Sequence, residues 1–420
     1  MSVALGIIAD DFTGALLVAG ELEAAGVECP VLFSPDALKH PEAASVAMLA
    51  TRARIVEPTQ AVAILRAGAD MFAKAGCRRL AYKACATFDS TEAGNIGPAA
   101  DFLSEQTGGR PAFMSAGAPV FNVTVFQGHL FYRGTLVSES VKRFDPLTPM
   151  TDPNLVRFLS KQTERGVALL PHAKLAQGIA VARLALADVS AAGNHILVDT
   201  ADDMDVEISA QLAMETGAPV VASDALIIAY ARMVAATAAA RRSTAPSHLT
   251  GPAAVLVGSV GPIALGHLAR FEARYPVLRL RLDDTRSEAE IVGAAIAWAG
   301  PHFGNVPFAV TTAEDQAGVA RNQQAFGAIG AARKAEVLLA AIAKALRAKG
   351  VRRLVVAGGE TSGAVVGALQ LTRARALPAG PLGGGFCLAE GPDGVISLFL
   401  KSGKLGAEDI LASAIDAMRP

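Results

Sequence analysis

The feature that most constrains this fold is the alternation of short apolar runs with longer segments of helical periodicity. In the first half of the chain the pairs are Val3–Ile8 with Thr13–Ala25, Val46–Ala50 with Thr59–Ala75, Arg79–Ala84 with Ile96–Ser104, and His195–Val198 with Val206–Thr216. Strands that alternate with helices are joined by crossovers and lie parallel in the sheet. The pattern therefore predicts an α/β fold whose mostly parallel sheets are flanked by helices.

The length of 420 residues exceeds the usual size of a single core and predicts two domains. The segment Arg241–His248 carries Pro and Ser without apolar periodicity, as domain linkers do. We therefore expect an N-terminal domain over 1–240 and a C-terminal domain over 253–420. Residues 116–150 give no clear prediction. A second series of strands follows the linker, at Ala254–Val257, Val277–Leu282, Phe308–Val310, Arg353–Ala357 and Val395–Leu400.

The overall charge excludes several classes of partner. Lys plus Arg number 38 and Asp plus Glu number 39, so the net charge of −1 favours neither nucleic acid nor an anionic membrane. The four cysteines have no CxxC spacing, which favours reduced thiols and argues against structural zinc. The N-terminus lacks the basic region of a signal peptide. These features predict a cytoplasmic protein with small-molecule partners, and they leave a homo-oligomer open.

The segment after the strand-like run Leu354–Ala357 resembles a phosphate site. Glycines allow close approach of an anion, and the N-terminus of the following helix directs N–H groups and a partial positive charge at it. The alternative is an ordinary strand-turn-helix with a hydroxyl cap. The Gly-Lys-Ser/Thr ending of a Walker A motif is absent. The candidate nucleotide-binding residues here are Gly358, Gly359, Glu360, Thr361, Ser362 and Gly363.

Two more glycine turns follow strands of the same domain. One contains Ser259 within Gly258–Gly261, and the other contains Gly403 after the strand that ends near Leu400. Because the carboxyl ends of parallel strands share one edge, we expect the three turns to converge on a mononucleotide site. Gly258–Gly261 with Asp283 also offers a weaker alternative, a nicotinamide-dependent oxidoreductase.

Two carboxylates, Asp10 and Asp11, follow the first predicted strand at the sheet edge where open α/β folds bind ligands. Adjacent acids suit hydroxyl recognition, proton abstraction or a magnesium ion. The alternative is a helix N-cap with a solvated neighbour.

Polar residues also follow the next strands. Lys83 ends a strand and could meet a substrate carboxylate, and Arg52 could bind one in bidentate fashion. Asp89, Ser90 and Asn95 lie before a predicted helix start. The alternative is a polar loop with solvated surface charges.

Several of these motifs together resemble the four-carbon acid sugar kinases, and most of all the 3-oxo-tetronate 4-kinase branch. The likeness spans nearly the whole chain in order. The motifs that carry it are Ile8-Ala9-Asp10-Asp11-Phe12-Thr13-Gly14-Ala15, Lys83 with Thr87-Phe88-Asp89-Ser90-Thr91 and Gly94-Asn95-Ile96-Gly97, Pro149-Met150-Thr151-Asp152, Val356-Ala357-Gly358-Gly359-Glu360-Thr361-Ser362-Gly363, and Leu400-Lys401-Ser402-Gly403.

The resemblance implies an ATP- and Mg²⁺-dependent kinase that phosphorylates the terminal (C4) hydroxyl of a four-carbon sugar acid, with the site in the cleft between an N-terminal acid-sugar domain and a C-terminal ATP domain. It implies ATP contacts at Ser259, the turn 359–363 and Gly403. It implies a substrate site drawn from Asp10, Asp11, Arg52, Lys83, Asp89, Thr151 and Asp152. Asp11 is the predicted base or hydroxyl orienter, Asp10 its partner or a Mg²⁺ ligand, and Asp89 the alternative base.

The chain also departs from the pattern of that family. Leu17 stands where a carboxylate is usual, Val123 where an arginine is usual, and Gly383–Gly385 where a Pro-Gly-x-Pro-Trp-like turn is usual. These departures leave open a second function, a catalytically weakened binder of sugar acids.

Overall fold

A computed structural model describes residues 3–38, 44–145, 147–238, 246–403 and 406–419. The chain forms two compact units, Met1–Ser243 and Thr244–Pro420. Part of the predicted linker Arg241–His248 lies outside the described residues. No helix in the described part of the chain is long and apolar enough to cross a membrane.

The first unit is built on a sheet of eight parallel strands in the order β2-β3-β1-β4-β11-β5-β10-β9. Its central strand β1 is buried throughout, which explains its unbroken apolar sequence. The strands of the sheet are β1 Leu5–Ala9, β2 Pro30–Leu32, β3 Val46–Ala50, β4 Arg79–Lys83, β5 Phe113–Ser115, β9 Val167–Leu170, β10 His195–Val198 and β11 Val220–Ala222.

Helices connect these strands: α1 Phe12–Ala24, α2 Pro58–Lys74, α3 Ile96–Gln106, α4 Leu155–Leu159, α5 His172–Leu175, α6 Ile179–Ser190, α7 Asp203–Thr216 and α8 Asp224–Thr237. Strand order reverses at β1, because the chain first adds β2 and β3 on one side and then β4 on the other. Such a switch point opens a crevice at the carboxyl ends of the strands. The topology therefore marks the end of β1 as the place for a ligand.

The segment without a clear prediction forms a separate three-stranded antiparallel sheet, β6 Val123–Phe126, β7 His129–Tyr132 and β8 Thr135–Leu136. A 3₁₀ turn at Val141–Phe144 follows it. Its strands are short and its partly exposed faces mix polar and apolar residues, so no clean period of two is visible in the sequence.

The second unit has the strand order β13-β14-β12-β15-β18-β17-β16. The first five strands are parallel, and β17 and β16 are antiparallel additions. The strands are β12 Ala253–Val257, β13 Val277–Arg279, β14 Phe308–Thr311, β15 Arg353–Ala357, β16 Arg373–Ala376, β17 Phe386–Gly391 and β18 Gly394–Lys401, and the helices are α9 Pro262–Glu272, α10 Glu288–Ala299, α11 Gln316–Ala348, α12 Gly359–Ala368 and α13 Ile410–Ala417. The predicted class, α/β with mostly parallel sheets flanked by helices, is confirmed.

Candidate functional site

Five charged residues of the first unit lie at or just after the carboxyl ends of four neighbouring strands. In the sheet these strands are adjacent in the order β3-β1-β4-β11. Their ends deliver Arg54 after β3, Asp10 and Asp11 after β1, Lys83 at the end of β4, and Asp224 after β11. Residues far apart in sequence thus form one cluster at the switch point.

Arg54 binds both carboxylates that follow β1. Its guanidinium donates to the two oxygens of Asp10 at 2.8 and 2.9 Å, and a nitrogen lies 3.1 Å from Asp11 Oδ2. The other Asp11 oxygen accepts the Gly14 N–H at 2.9 Å and caps α1. Burial alone would raise the pKa of Asp11, but the charges of Arg54 and Lys83 outweigh burial and lower it. Asp11 is thus both the cap of α1 and a member of the charged cluster.

Lys83 is only 2% exposed, and its ammonium lies 3.0 Å from the carboxylate of Asp224. A Cβ built on Gly14 would come within 2.2 Å of this ammonium, so the lysine packs closely against the first turn of α1. Burial would lower the pKa of Lys83, but the carboxylates of Asp224, Asp10 and Asp11 outweigh it and raise the pKa. Lys83 is a fixed internal cation that balances these carboxylates.

Asp89 forms a second ion pair in the same unit. Its carboxylate lies 2.6 Å from the ammonium of Lys142, which comes from the 3₁₀ turn at Val141–Phe144, and it also accepts from the Thr87 hydroxyl. Burial would raise the pKa of Asp89, but the charge and hydrogen bond of Lys142 outweigh it and lower the pKa. The Thr87 hydroxyl that donates to Asp89 also lies 3.5 Å from the thiol of Cys85, two residues after Lys83, so this pair lies close to the carboxyl end of β4.

Two predicted substrate residues are engaged in holding loops. The Asn95 amide donates to the carbonyls of Ala53 and Val56 at 2.6 and 2.8 Å, which fixes the loop that carries Arg54. Ser90 is 3% exposed and accepts from Gln162 at 3.2 Å. These contacts fix the loops around the site, and the side-chain oxygen of Asn95 is buried with no hydrogen-bond partner among the described residues.

The remaining predicted substrate residues lie nearer the surface. Asp152 caps the Asn154 N–H at 3.0 Å and forms an ion pair with Arg157, and Thr151 is exposed. Arg52 is exposed two residues after β3, whereas Arg54 is the arginine that contacts the acid pair. The structure therefore brings Arg54 into the cluster in the place where Arg52 is predicted.

The three departures from the family pattern have different surroundings. Leu17 is partly exposed on α1, and Val123 is 3% exposed on β6, where it pairs with Tyr132. Gly385 has a φ of 118°, and a Cβ on it would lie 2.7 Å from the Leu400 carbonyl. An arginine at Val123 would bring a charge into a buried position. The glycine at 385 is required by its backbone.

In the second unit, the three glycine turns converge as expected, because β12, β15 and β18 are neighbours in the sheet. A Cβ on Gly403 would lie 1.9 Å from the Ser259 hydroxyl, and a Cβ on Gly258 would lie 2.2 Å from the Thr361 hydroxyl. Glycine at 258 and 403 is thus needed for this close approach of the turns. The hydroxyls of Ser259 and Thr361 meet at the edge where the strands end.

Two helices start from these turns. α9 begins at Pro262 after Gly261, and α12 begins at Gly359 after Gly358, whose φ of 131° favours glycine. The Ser362 hydroxyl donates back to the Gly358 carbonyl at 2.7 Å, so it serves the helix. Both N-termini lie after neighbouring strands and present N–H groups at one sheet edge, which suits an anion.

A cavity of about 160 Å³ adjoins this edge of the second unit. Glu360 and Thr361 line it from α12, and Thr312 and Asn322 line it from the β14 end and α11. The Thr312 hydroxyl and the Asn322 amide oxygen are buried, and neither has a hydrogen-bond partner among the described residues. Buried polar groups are normally satisfied, so these two atoms indicate a polar ligand in the cavity.

Sequence reasoning missed Arg54, Lys142 and Asp224. Asp224 had a usable signal, since Val220–Ala222 followed by Ser and Asp repeats the pattern of an apolar strand followed by acids seen at Asp10. Lys142 lies in the segment without a clear prediction, and no local pattern marks it.

Comparison with known proteins identifies the class. A family model described as a sugar-binding N-terminal domain matches residues 5–248, and one described as a nucleotide-binding C-terminal domain matches residues 254–411. The chain belongs to the family that combines these two domains and includes the 3-oxo-tetronate kinases. The resemblance to the four-carbon acid sugar kinases is thereby confirmed.

Individual relatives match over the full length. Proteins named 3-oxo-tetronate kinase are 35% identical in Methylobacterium radiotolerans, over 100% of both chains, and 36% identical in Burkholderia multivorans, over 99% of this chain and 97% of that one. A crystal structure from Salmonella typhimurium LT2, provisionally described as a tRNA synthase, has a TM-score of 0.84 at 29% identity and covers 98% of each chain. A Haemophilus influenzae protein has a TM-score of 0.73 at 26% identity and covers 99% of this chain and 100% of that one.

Proposed function

We propose that this protein is an ATP-dependent kinase that phosphorylates the terminal (C4) hydroxyl of a four-carbon sugar acid such as 3-oxo-tetronate. The observation that carries the proposal is the pairing of two different sites in one chain of this family. The N-terminal unit gathers carboxylates and cations at a switch point, and the C-terminal unit gathers glycine turns and two helix N-termini. A phosphoryl transfer between an alcohol and a nucleotide needs both kinds of site.

In the N-terminal unit, Asp11 is the proposed group that orients the acceptor hydroxyl. Its side chain is 20% exposed, whereas Asp10 is nearly buried with both oxygens held by Arg54. The lowered pKa of Asp11 makes it a weak proton acceptor, which suits a reaction that depends mainly on positioning and charge neutralisation. Asp89 is the second candidate for this role, and Lys142 holds it in place.

The substrate carboxylate is assigned to Lys142 and Arg54, both of which keep some exposure, at 12% and 25% of their side chains. Lys83 is less suited than predicted, because it is buried and paired with Asp224. Arg52, exposed at the same sheet edge, is kept as a predicted further anchor. Ser90 and Asn95 support this arrangement from behind by fixing loops.

In the C-terminal unit, the proposed phosphate contacts are the N–H groups of the turn 359–363, the Ser259 and Thr361 hydroxyls and the backbone at Gly403. The close glycine approaches and the unpartnered oxygens of Thr312 and Asn322 fit a nucleotide whose phosphates lie at the turns and whose nucleoside enters the cavity. When bound, ATP supplies the transferable phosphoryl group. The turn residues and the cavity residues bind and orient the nucleotide.

Mg²⁺ is part of the proposal as an ion carried on the nucleotide. Mg²⁺ is usually held by one or two protein oxygens together with substrate phosphates. Asp10 is a poorer ligand than predicted, since Arg54 occupies both of its oxygens. The Thr361 hydroxyl, which lines the cavity at the turn, is better suited.

The two alternative functions are not favoured. A nicotinamide-dependent oxidoreductase would use Asp283 for a ribose, but Arg281 and Arg321 engage that carboxylate at 2.7 and 3.3 Å. The relatives named as kinases do not support a binder without turnover.

The test is an assay of ADP release from ATP with 3-oxo-tetronate, combined with a thermal-shift panel of ATP, NAD and several four-carbon acids. We expect turnover and a rise in melting temperature with ATP and with one acid. Stabilisation by the acid without ADP release would favour the binder, and stabilisation by NAD alone would favour the oxidoreductase. Either result would overturn the proposal.

A further inference from the structure

The C-terminal unit buries a cation that the proposed function has not yet used. Lys401, the last residue of β18, is 5% exposed. Its ammonium donates to the carbonyl of Ser402 at 2.7 Å, and none of the ion pairs found among the described residues involves it. A buried ammonium without a counter-ion is destabilising, so it needs another explanation than the stability of the fold.

Lys401 lies among the three glycine turns. It is the register partner of Ala357 at the end of β15, and its carbonyl accepts the Gly358 N–H at 2.9 Å. Two residues later, Gly403 packs against the Ser259 hydroxyl after β12. The ammonium bonds to the carbonyl of the following residue, so it is held at the carboxyl end of β18. The ammonium of Lys401 and the N-termini of α9 and α12 therefore lie at the same edge of the sheet.

Burial alone accounts for the altered pKa of Lys401, and no carboxylate of the described residues acts on it. His267 of α9 is near enough for the positive charge of Lys401 to act on it, and burial together with that charge lowers the pKa of His267. Burial likewise lowers the pKa of Lys401 to about 8. A lysine ammonium is a compact charge that suits phosphate oxygens.

We propose that Lys401 is a phosphate-binding residue whose ammonium binds the terminal phosphate groups of the nucleotide. This proposal rests on the proposed kinase function and assigns to it a residue that the sequence analysis left without a role. The bound phosphates would supply the counter-charge that the described residues do not provide.

The test is the affinity of Lys401→Met for ATP, ADP, AMP and adenosine, measured by calorimetry on the full chain. Met is apolar and similar in length, so it suits a buried position. We expect the Kd for ATP and ADP to rise about tenfold or more, in line with the loss of a charge-assisted contact, while AMP and adenosine bind as in the wild type. The matched control is Lys349→Met, an exposed lysine at the opposite end of the sheet, before β15 begins.

A measurement without ligand separates this role from a structural one. If Lys401 serves binding, Lys401→Met removes an uncompensated buried charge, and its melting temperature should equal or exceed that of the wild type. If Lys401 instead holds the fold, the variant should melt lower and bind all four ligands less well, which would overturn the proposal. Unchanged ATP affinity in Lys401→Met would also overturn it. Failure of the wild-type chain to bind ATP would instead refute the proposed kinase function.

The wild-type chain provides a second test that needs no variant. Because a phosphate favours the charged lysine, the Kd for ADP should rise as the pH increases above about 8. Burial and the positive charge of Lys401 lower the pKa of His267, which moves its titration away from this range. A Kd that stays constant from about pH 7 to about pH 9.5 would contradict the assignment.

Discussion

The two units offer different kinds of groups for binding an anion. The N-terminal site consists of charged side chains that neutralise one another, with Arg54, Lys83 and Lys142 paired to Asp10, Asp224 and Asp89. The C-terminal site consists mainly of backbone, with glycine turns, helix N-termini and hydroxyls, and one buried lysine that forms no ion pair with the described residues. With Asp11, which shares Arg54, the N-terminal site holds four carboxylates and three cations in ion pairs, whereas the described residues give the C-terminal lysine no counter-charge.

This difference fits the two proposed ligands. A nucleotide brings several negative charges, so a site of N–H groups and one lysine gains charge balance only when the nucleotide binds. A four-carbon acid brings a single carboxylate and several hydroxyls, which need both donors and acceptors in fixed positions. Paired acids and cations supply both, because each ion pair fixes the geometry of its members.

The largest effect is expected at Asp11, where one substitution removes the charge but keeps the helix cap. Asp11→Asn keeps the N-cap of α1, since Asn caps helices as well as Asp does, but it removes the charge. We expect kcat to fall by roughly 10²-fold, as the misplacement of a reacting group does, with little change in the Kd of the acid. The measurement is steady-state kinetics together with calorimetric binding.

The control for this prediction is Asp202→Asn, which changes the equivalent N-cap of α7 at an exposed position. It should leave kcat unchanged. If Asp11→Asn keeps near-native kcat while Asp89→Asn abolishes turnover, the orienting role passes to Asp89. If neither changes kcat, both acids are structural.

A second prediction concerns the N-terminal site, where Lys142 is assigned to the substrate carboxylate. Lys142→Met should raise KM for the acid by roughly 10- to 150-fold, the equivalent of about 1.5–3 kcal/mol for a hydrogen bond to a charged group. KM for ATP should stay constant. Lys161→Met is the matched control, because Lys161 pairs with Glu92 of the same loop at the surface. An equal rise of KM in both variants would show that the loop, and not the carboxylate contact, is affected.

A third prediction tests the backbone site through two glycines of one helix. Apart from chain neighbours and the backbone of its own helix, a Cβ at Gly359 or at Gly367 has no described atom within 4 Å, so a side chain at either position starts in open space. Only Gly359 faces the proposed phosphate position. Gly359→Val should therefore weaken ATP binding by about 1–3 kcal/mol, as overpacking does, and Gly367→Val should not. Equal ATP affinities in two folded variants would remove the turn from the nucleotide site.

The smallest expected effects are those of low pH on stability and on kcat. The pKa values of Asp11 and Asp89 are lowered on folding, so their contributions to stability are present above the unfolded pKa of about 4 and are lost as the pH falls through the folded values. We expect kcat to vary less than about twofold between roughly pH 5 and pH 7 on account of these acids. Below about pH 4 the melting temperature of the wild type should fall more steeply than that of Asp89→Asn. Parallel curves for the two proteins would contradict the lowered pKa of Asp89.

The C-terminal site was largely predictable from the sequence, and the N-terminal site was predictable only in part. The turns at Gly358 and Gly403 follow apolar strands directly, so local pattern and strand adjacency were enough to place them at one edge. Arg54 lies four residues beyond its strand, where its rigid position depends on the Asn95 amide that binds the loop from α3. Lys142 depends on a small antiparallel sheet that has no readable period.

The sequence by itself determined the alternation of strands and helices, the α/β class, the acids after β1 and the glycine turns after β12, β15 and β18, because each of these is set by residues close together in the chain. Only the tertiary structure decided which charges meet. It paired Arg54 with Asp10, paired Lys83 with Asp224, and brought Lys142 to Asp89 across 53 positions of sequence. Ion pairs act over a few ångströms in space, and that distance is set by strand order and loop path, which no local pattern records.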